Sequence, residues 1–265
     1  MGLSFTKIGI LGGTRGMGAW FAEYLEKQGY DVYPVGRSTE LTPKMMARLC
    51  DVIVIAVPIP VTIQMIQTIG PYVGERRLLM DLTSIKQKPL EAMLAHSDAE
   101  VVGVHPLFGP IENAEGQRVA ICQGRGQNGL KWTKQIFETG KLKVLEMDPQ
   151  EHDRLMGLIQ GVNHFSTLGL AHCIKSSGFS VEDIEKCSTI TFKRRLDRIY
   201  KLLDQPAELF GSLLIDNPES LNYIRLYRDV LNEMIPIIEN KDHEAFKELF
   251  VSLKNQQMDE EIPKE

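Results

Sequence analysis

Between Lys7 and Met147 the chain repeats one pattern: a short apolar run, a break of Gly, Pro, Asp or Ser, then a stretch with helical spacing. The runs are Ile8–Leu11, Val32–Val35, Val52–Val57, Leu78–Leu82, Val101–Val104, Val119–Ile121 and Val144–Leu145. Several are too uniformly apolar for a sheet with one wet face. They read as strands covered on both sides by crossover helices, which predicts a doubly wound, mostly parallel sheet of the α/β class. After Met147 the period changes. Glu151 to Lys175 carries Leu155, Leu158, Ile159, Val162, Phe165, Leu168 and Leu170 at three- and four-residue spacing, the signature of one long helix. Further helices are predicted at about 181–187, 190–204, 206–214, 218–239 and 242–255, with Pro206 and Pro218 in first turns. The polar stretch from Met258 to Glu265 reads as a frayed end. The expectation is an α/β domain over residues 1–149 followed by an all-helical domain over 150–265.

Composition narrows the classes. A length of 265 residues suits two unequal domains, and 43% hydrophobic against 25% charged residues argues against a disordered chain. A net charge of -5 gives no general affinity for nucleic acid or anionic lipid. No stretch of about 18 apolar residues occurs, and no basic, then apolar leader precedes Lys7. Cys50, Cys122, Cys173 and Cys187 are far apart without C-x-x-C spacing, so neither a disulfide framework nor a zinc site is expected. A cytoplasmic protein fits these features.

The first apolar run leads directly into Gly12-Gly13-Thr14-Arg15-Gly16-Met17-Gly18 and then an apolar helix. Glycines at a strand–helix turn let the backbone approach a pyrophosphate, and the helix N-terminus offers unpaired N–H groups. This predicts a Rossmann-like dinucleotide-binding domain with one departure. Counting G-x-G-x-x-G from Gly13 to Gly18, the middle glycine falls at Arg15 and is displaced to Gly16. The second run ends in Val35-Gly36-Arg37-Ser38-Thr39, with no acid at its tip to take a ribose hydroxyl. Arg37 and Ser38 could hold a 2'-phosphate, so NADP is favoured, with NAD the alternative because Glu40 is close. Val57 and Pro58, after Ala56, either let a nicotinamide lie against the sheet edge or merely end the strand.

Two other strand ends carry unusual polar residues: Leu82-Thr83-Ser84-Ile85-Lys86 and Val104-His105-Pro106-Leu107-Phe108-Gly109-Pro110. In parallel strands Ser84 and His105 emerge on the edge of the glycine turn. His105 there is either a general base or a strand cap, and Ser84 could orient its ring. His152 and His164 are twelve residues apart, about 120° around one helix, so they form no metal pair; His152 reads as shaping the helix start. No metal is expected.

The pairing of Asp81-Leu82-Thr83-Ser84-Ile85-Lys86 with His105-Pro106-Leu107-Phe108-Gly109-Pro110 resembles prephenate dehydrogenases. So does Glu151-His152-Asp153-Arg154-Leu155-Met156, continued by Ile159-Gln160 and Asn163-His164-Phe165. The resemblance runs from Lys7 to about Leu253. It implies oxidative decarboxylation of prephenate to 4-hydroxyphenylpyruvate in tyrosine biosynthesis, with hydride transfer to NADP or NAD, by a homodimer of helical domains. It implies His105 as catalytic base, Ser84 aligning it, His164 holding substrate, and an arginine binding a substrate carboxylate. That arginine is carried over to Arg194, with Arg195 and Arg198 as rivals. Arogenate is the close alternative substrate. Two other classes stay open. A 3-hydroxyacid dehydrogenase-like reductase would use a helical lysine, for which Lys175 is the candidate, and a nucleotide-sensing protein would have no chemistry.

Overall fold

The computed structural model describes residues 5–258. Seven strands, β1 (Lys7–Leu11), β2 (Asp31–Val35), β3 (Val52–Ile55), β4 (Leu78–Asp81), β5 (Glu100–Pro106), β6 (Arg118–Arg125) and β7 (Lys143–Glu146), form one sheet in the order β2-β1-β3-β4-β5-β6-β7. The first five pair in parallel; β6 runs antiparallel to β5, and β7 follows β6 in parallel. All seven apolar runs are strands. The residues of β3 and β4 are buried throughout, as a sheet covered on both faces requires.

Five helices, α1 (Gly16–Glu26), α2 (Pro43–Leu49), α3 (Ile59–Ile69), α4 (Gln87–His96) and α5 (Asn128–Thr139), cover the sheet. Side chains alternate across each strand, so two cores form. Ile8, Ile10, Val54, Met80 and Val104 pack against Phe21 and Leu25 of α1 and Phe137 of α5. Leu11, Ile53, Ile55, Leu79 and Val101 pack against Met46 of α2, Ile66 of α3 and Met93 of α4.

Past β7 the described chain is helical: α6 (Pro149–Met156), α7 (Asn163–Ser176), α8 (Val181–Cys187), α9 (Ile190–Leu203), α10 (Ala207–Ile215), α11 (Pro218–Glu239) and α12 (His243–Met258). Pro218 opens α11 as expected, whereas Pro206 stands one residue before α10 as its cap. Residues 259–265 of the expected frayed end lie outside the described residues. The single helix read from Glu151 to Lys175 is continuous but not uniform, because Gly157–Val162 form a π-helical segment between α6 and α7. The wider π turn changes the rotation per residue, so the 120° separation of His152 and His164 on an ideal helix does not hold.

Two glycines make this segment possible. A Cβ on Gly157 would stand 2.8 Å from the Glu219 carbonyl carbon, and one on Gly161 would stand 2.8 Å from Ser220 Oγ. The start of α11 therefore lies directly on the π segment, with Ser220 fully buried and donating to the Leu213 carbonyl. Gly157→Val should drive methyl groups into the α11 backbone and lower stability by about 1–3 kcal/mol, read as a fall in melting temperature of several degrees. An unchanged melting temperature would show that the crossing has slack.

Candidate active site

At the carboxyl ends of the parallel strands, Leu11, Ile55, Asp81 and Gly103 form the last paired row. Beyond β1 the chain turns through Gly12, whose φ is +87° and whose missing Cβ would lie 2.2 Å from the Ala56 carbonyl oxygen. A Cβ on Gly18 would come just as close to the Gly12 carbonyl oxygen, at 2.3 Å. Val57 and Pro58 follow Ala56 at the start of α3, so the loops after β1 and β3 touch where the strand order reverses, the usual ligand crevice of such sheets. The displaced glycine has a conformational reason. Arg15 is extended, with φ -154°, and Gly16 takes the left-handed φ of +54° with open space where its Cβ would be. No side chain caps α1 at its N-terminus, leaving its first N–H groups for an anion.

Thr14 lies against Gly36 at the tip of β2: a Cβ on Gly36 would approach Thr14 Oγ1 to 2.7 Å. Thr39 Oγ1 accepts from Gly36 N at 3.1 Å and so shapes this loop. Arg37, Ser38, Arg15 and Thr14 are exposed, and Arg37 has no ion-pair partner among the described residues. A bare helix N-terminus and a close-packed glycine turn fit a dinucleotide, and the Arg37 guanidinium stands unpaired among the described residues at the β2 tip. Met17 is half-buried in the first turn of α1.

His105 lies near the carboxyl end of β5 and is 3% exposed. By strand alternation it shares the face of Val101 and Gly103, over α4. The loop after it is fixed to α1: Phe108 meets Trp20 edge-on at 5.1 Å, and Trp20 Nε1 donates to the Ile111 carbonyl at 2.8 Å. His105 Nδ1 is 2.9 Å from Nε2 of His152, which is fully buried on α6. His152 Nδ1 is 2.8 Å from Oδ1 of Asp153. Asp153 also accepts Lys86 N at 2.7 Å and Gln87 N at 3.0 Å, so its carboxylate caps α4 from across the junction. Asn217 closes the cluster by donating to the Asp153 carbonyl at 2.9 Å.

Beneath this cluster Lys86 and Asp81 form an ion pair with both side chains fully buried. The Lys86 ammonium also donates to the Val104 carbonyl at 2.9 Å, and its stem passes over Gly103, where a Cβ would meet it at 3.2 Å. Burial, then the neighbouring His152 and Lys86, push the His105 pKa well below 6.5, so the imidazole is uncharged at neutral pH.

The structure therefore brings His105 to the edge of the glycine turn but gives its Nδ1 to His152. Ser84, expected to orient the ring, is half-buried at the end of β4 and makes no hydrogen bond among the described residues. His152, read as shaping the helix start, faces the sheet and touches His105. The signal for it is a histidine directly beside Asp153 at the start of a helix. His164, in the first turn of α7 past the π segment, meets the Phe210 ring edge-on at 4.9 Å. Its pKa is lowered by burial. Arg194, Arg195 and Arg198 are exposed on α9, and none has a partner among the described residues. Lys175 is exposed in the last turn of α7, at the far end of that helix from His152.

Residues 24–142 match the family described as prephenate dehydrogenase, nucleotide-binding domain, and residues 148–252 match prephenate dehydrogenase, dimerization domain. The chain belongs to the prephenate dehydrogenase family. It is 30% identical over 259 residues to a probable arogenate/prephenate dehydrogenase of Methanocaldococcus jannaschii, covering 90% of this chain and 58% of that protein. It is 31% identical over 245 residues to the T-protein of Haemophilus influenzae, covering 92% and 65%. The chain thus spans about three fifths of the length of these relatives. In fold it is similar to prephenate dehydrogenase from A. aeolicus in complex with hydroxyphenyl propionate and NAD+, with a TM-score of 0.78 at 20% identity over 97% of this chain and 99% of that one. Synechocystis arogenate dehydrogenase has a TM-score of 0.74 at 16% identity, over 96% and 99%.

Proposed function

We propose that this protein oxidatively decarboxylates prephenate to 4-hydroxyphenylpyruvate with NADP as hydride acceptor. The observation that carries the reading is His105, uncharged and nearly enclosed, on the sheet edge that also holds the glycine turn. The Gly12 to Gly18 turn would hold the pyrophosphate of a dinucleotide, whose oxidised nicotinamide would supply the hydride acceptor. His105 takes the proton of the substrate's ring hydroxyl, a task closed to an imidazolium. Ser84, past the end of β4 on the same edge, aligns the nicotinamide. Loss of CO₂ then makes the ring aromatic, which draws the reaction forward. Two substrate carboxylates need cations, and the free guanidinium of Arg194, with Arg195 and Arg198 beside it, supplies one; His164 contributes across the junction.

The helical domain supports a homodimer. α7 has no buried residue, and α11 buries only Ser220. Phe165, Leu221, Ile224, Leu231 and Ile235 line a groove between these helices, and Ile238 is 65% exposed. An apolar surface of that kind suits a second copy.

The test is the appearance of NADPH when prephenate is supplied, run in parallel with NAD and with arogenate. Reduction with prephenate supports the reading, a clear preference for arogenate moves the substrate, and no reduction with either acid overturns the activity. Arg37→Ala should raise KM for NADP about tenfold and leave that for NAD nearly unchanged, since a charge-assisted bond to the 2'-phosphate is lost. Equal effects on both would remove Arg37 from the cofactor site.

A further inference from the structure

We infer that His152 and Asp153 are a positioning pair that fixes which nitrogen of His105 carries its proton. The inference rests on the reading of His105 as the base and adds what makes that base competent. It follows from donor and acceptor counting along one chain of contacts.

The Asp153 carboxylate takes two backbone N–H groups at the start of α4, Lys86 N on Oδ1 and Gln87 N on Oδ2, where the helix end favours negative charge. An ionised carboxylate only accepts. His152 Nδ1, 2.8 Å from Oδ1, must therefore carry a proton and donate it. We take His152 with a single proton; with that proton on Nδ1, its Nε2 is bare and can only accept. Its neighbour at 2.9 Å is His105 Nδ1, which must then be the protonated nitrogen of His105. The remaining nitrogen, His105 Nε2, is left with its lone pair free. Nε2 has no hydrogen-bond partner among the described residues and is not fully enclosed, which leaves it the ring nitrogen open to a substrate hydroxyl.

Nothing else in the cluster fixes that choice. Ser84 makes no bond to either nitrogen, and the Lys86 ammonium is committed to Asp81 and the Val104 carbonyl. Without the pair, His105 could carry its proton on Nε2, where it blocks the proton transfer without any change of charge or fold. The π segment and the capped start of α6 serve the same end: Asp148 caps α6 by accepting Gln150 N at 2.8 Å, and Asn217 holds the Asp153 carbonyl.

The decisive measurement is the protonation state of each ring nitrogen by long-range proton–nitrogen correlation on the full chain labelled at histidine, at neutral pH and without substrate or cofactor. The His105 signals are those missing from His105→Asn. The expected wild-type result is a proton on Nδ1 and a bare Nε2. His152→Gln keeps an acceptor oxygen for His105 Nδ1 and should preserve both that pattern and kcat within about tenfold. His152→Leu should release the proton to Nε2 and lower kcat by on the order of 10²–10⁴, with KM changed less than about threefold. A protonated Nε2 in the wild type, or an unaltered pattern in His152→Leu, overturns the inference. Equal losses in the Gln and Leu variants with matched falls in melting temperature overturn it too, since they mark a structural role. If His152→Leu fails to fold, the wild-type spectrum and the Gln variant still decide. Because the spectra need no turnover, a wild type inactive on both acids tells against the substrate assignment alone.

Discussion

Replacing His105 by Asn is expected to lower kcat by on the order of 10²–10⁴ while leaving NADP affinity unchanged. Asn matches the imidazole in rough size and polarity near His152, but it has no basic lone pair, so only the proton transfer is removed. The cofactor contacts lie on other loops, which is why binding should survive. The same residue sets the pH dependence of the wild type. Its pKa is depressed, so the neutral, active form persists as pH falls below 6.5, and activity is lost only as pH drops through the lowered value. The kcat/KM profile, which reports the free enzyme, should therefore stay flat through pH 6.5 and fall at lower pH. An acid limb at or above 6.5, or a loss below tenfold in His105→Asn, would remove His105 from the role of base.

Much of this was legible in the sequence because the underlying signals are local. Buried parallel strands must be uniformly apolar, and the seven runs mark the sheet. The helices past Met147 are read by their 3.6 period, and the glycine turn sits where the first strand meets a helix. His105 was found by the same logic, as a polar residue at a strand end on the ligand edge. The contacts of His105 were not legible. His152 lies 47 positions from His105, and a period says which face of a helix is apolar, not what a single buried polar residue on that face meets. The π segment also escaped, since its cause is the close approach of α11 to Gly157 and Gly161, a contact between distant parts of the chain. Ser84 offers a hydroxyl past a strand end, but His105 Nδ1 meets the buried His152 imidazole on α6, a partner that lies in a different stretch of chain.

Lys86→Met should be the most destabilising single change, by about 3–5 kcal/mol. Asp81 would keep its Oδ2 bonds from Thr83 N and Oγ1, but Oδ1 has no partner among the described residues, and the fully buried charge would lose the one cation paired with it there. Breaking one partner of a buried pair leaves an unpaired charge, whereas removing both does not. Lys86→Met with Asp81→Leu should therefore recover most of the lost melting temperature, and a double variant as unstable as the single one would refute the ion-pair account. Recovery of stability should not bring back the whole function. The ammonium also holds the Val104 carbonyl, one residue before His105, and its charge helps depress the His105 pKa. In a folded variant without Lys86 the acid limb of kcat/KM should move to higher pH. A profile unmoved from wild type would mean that burial and His152 alone set the basicity of His105.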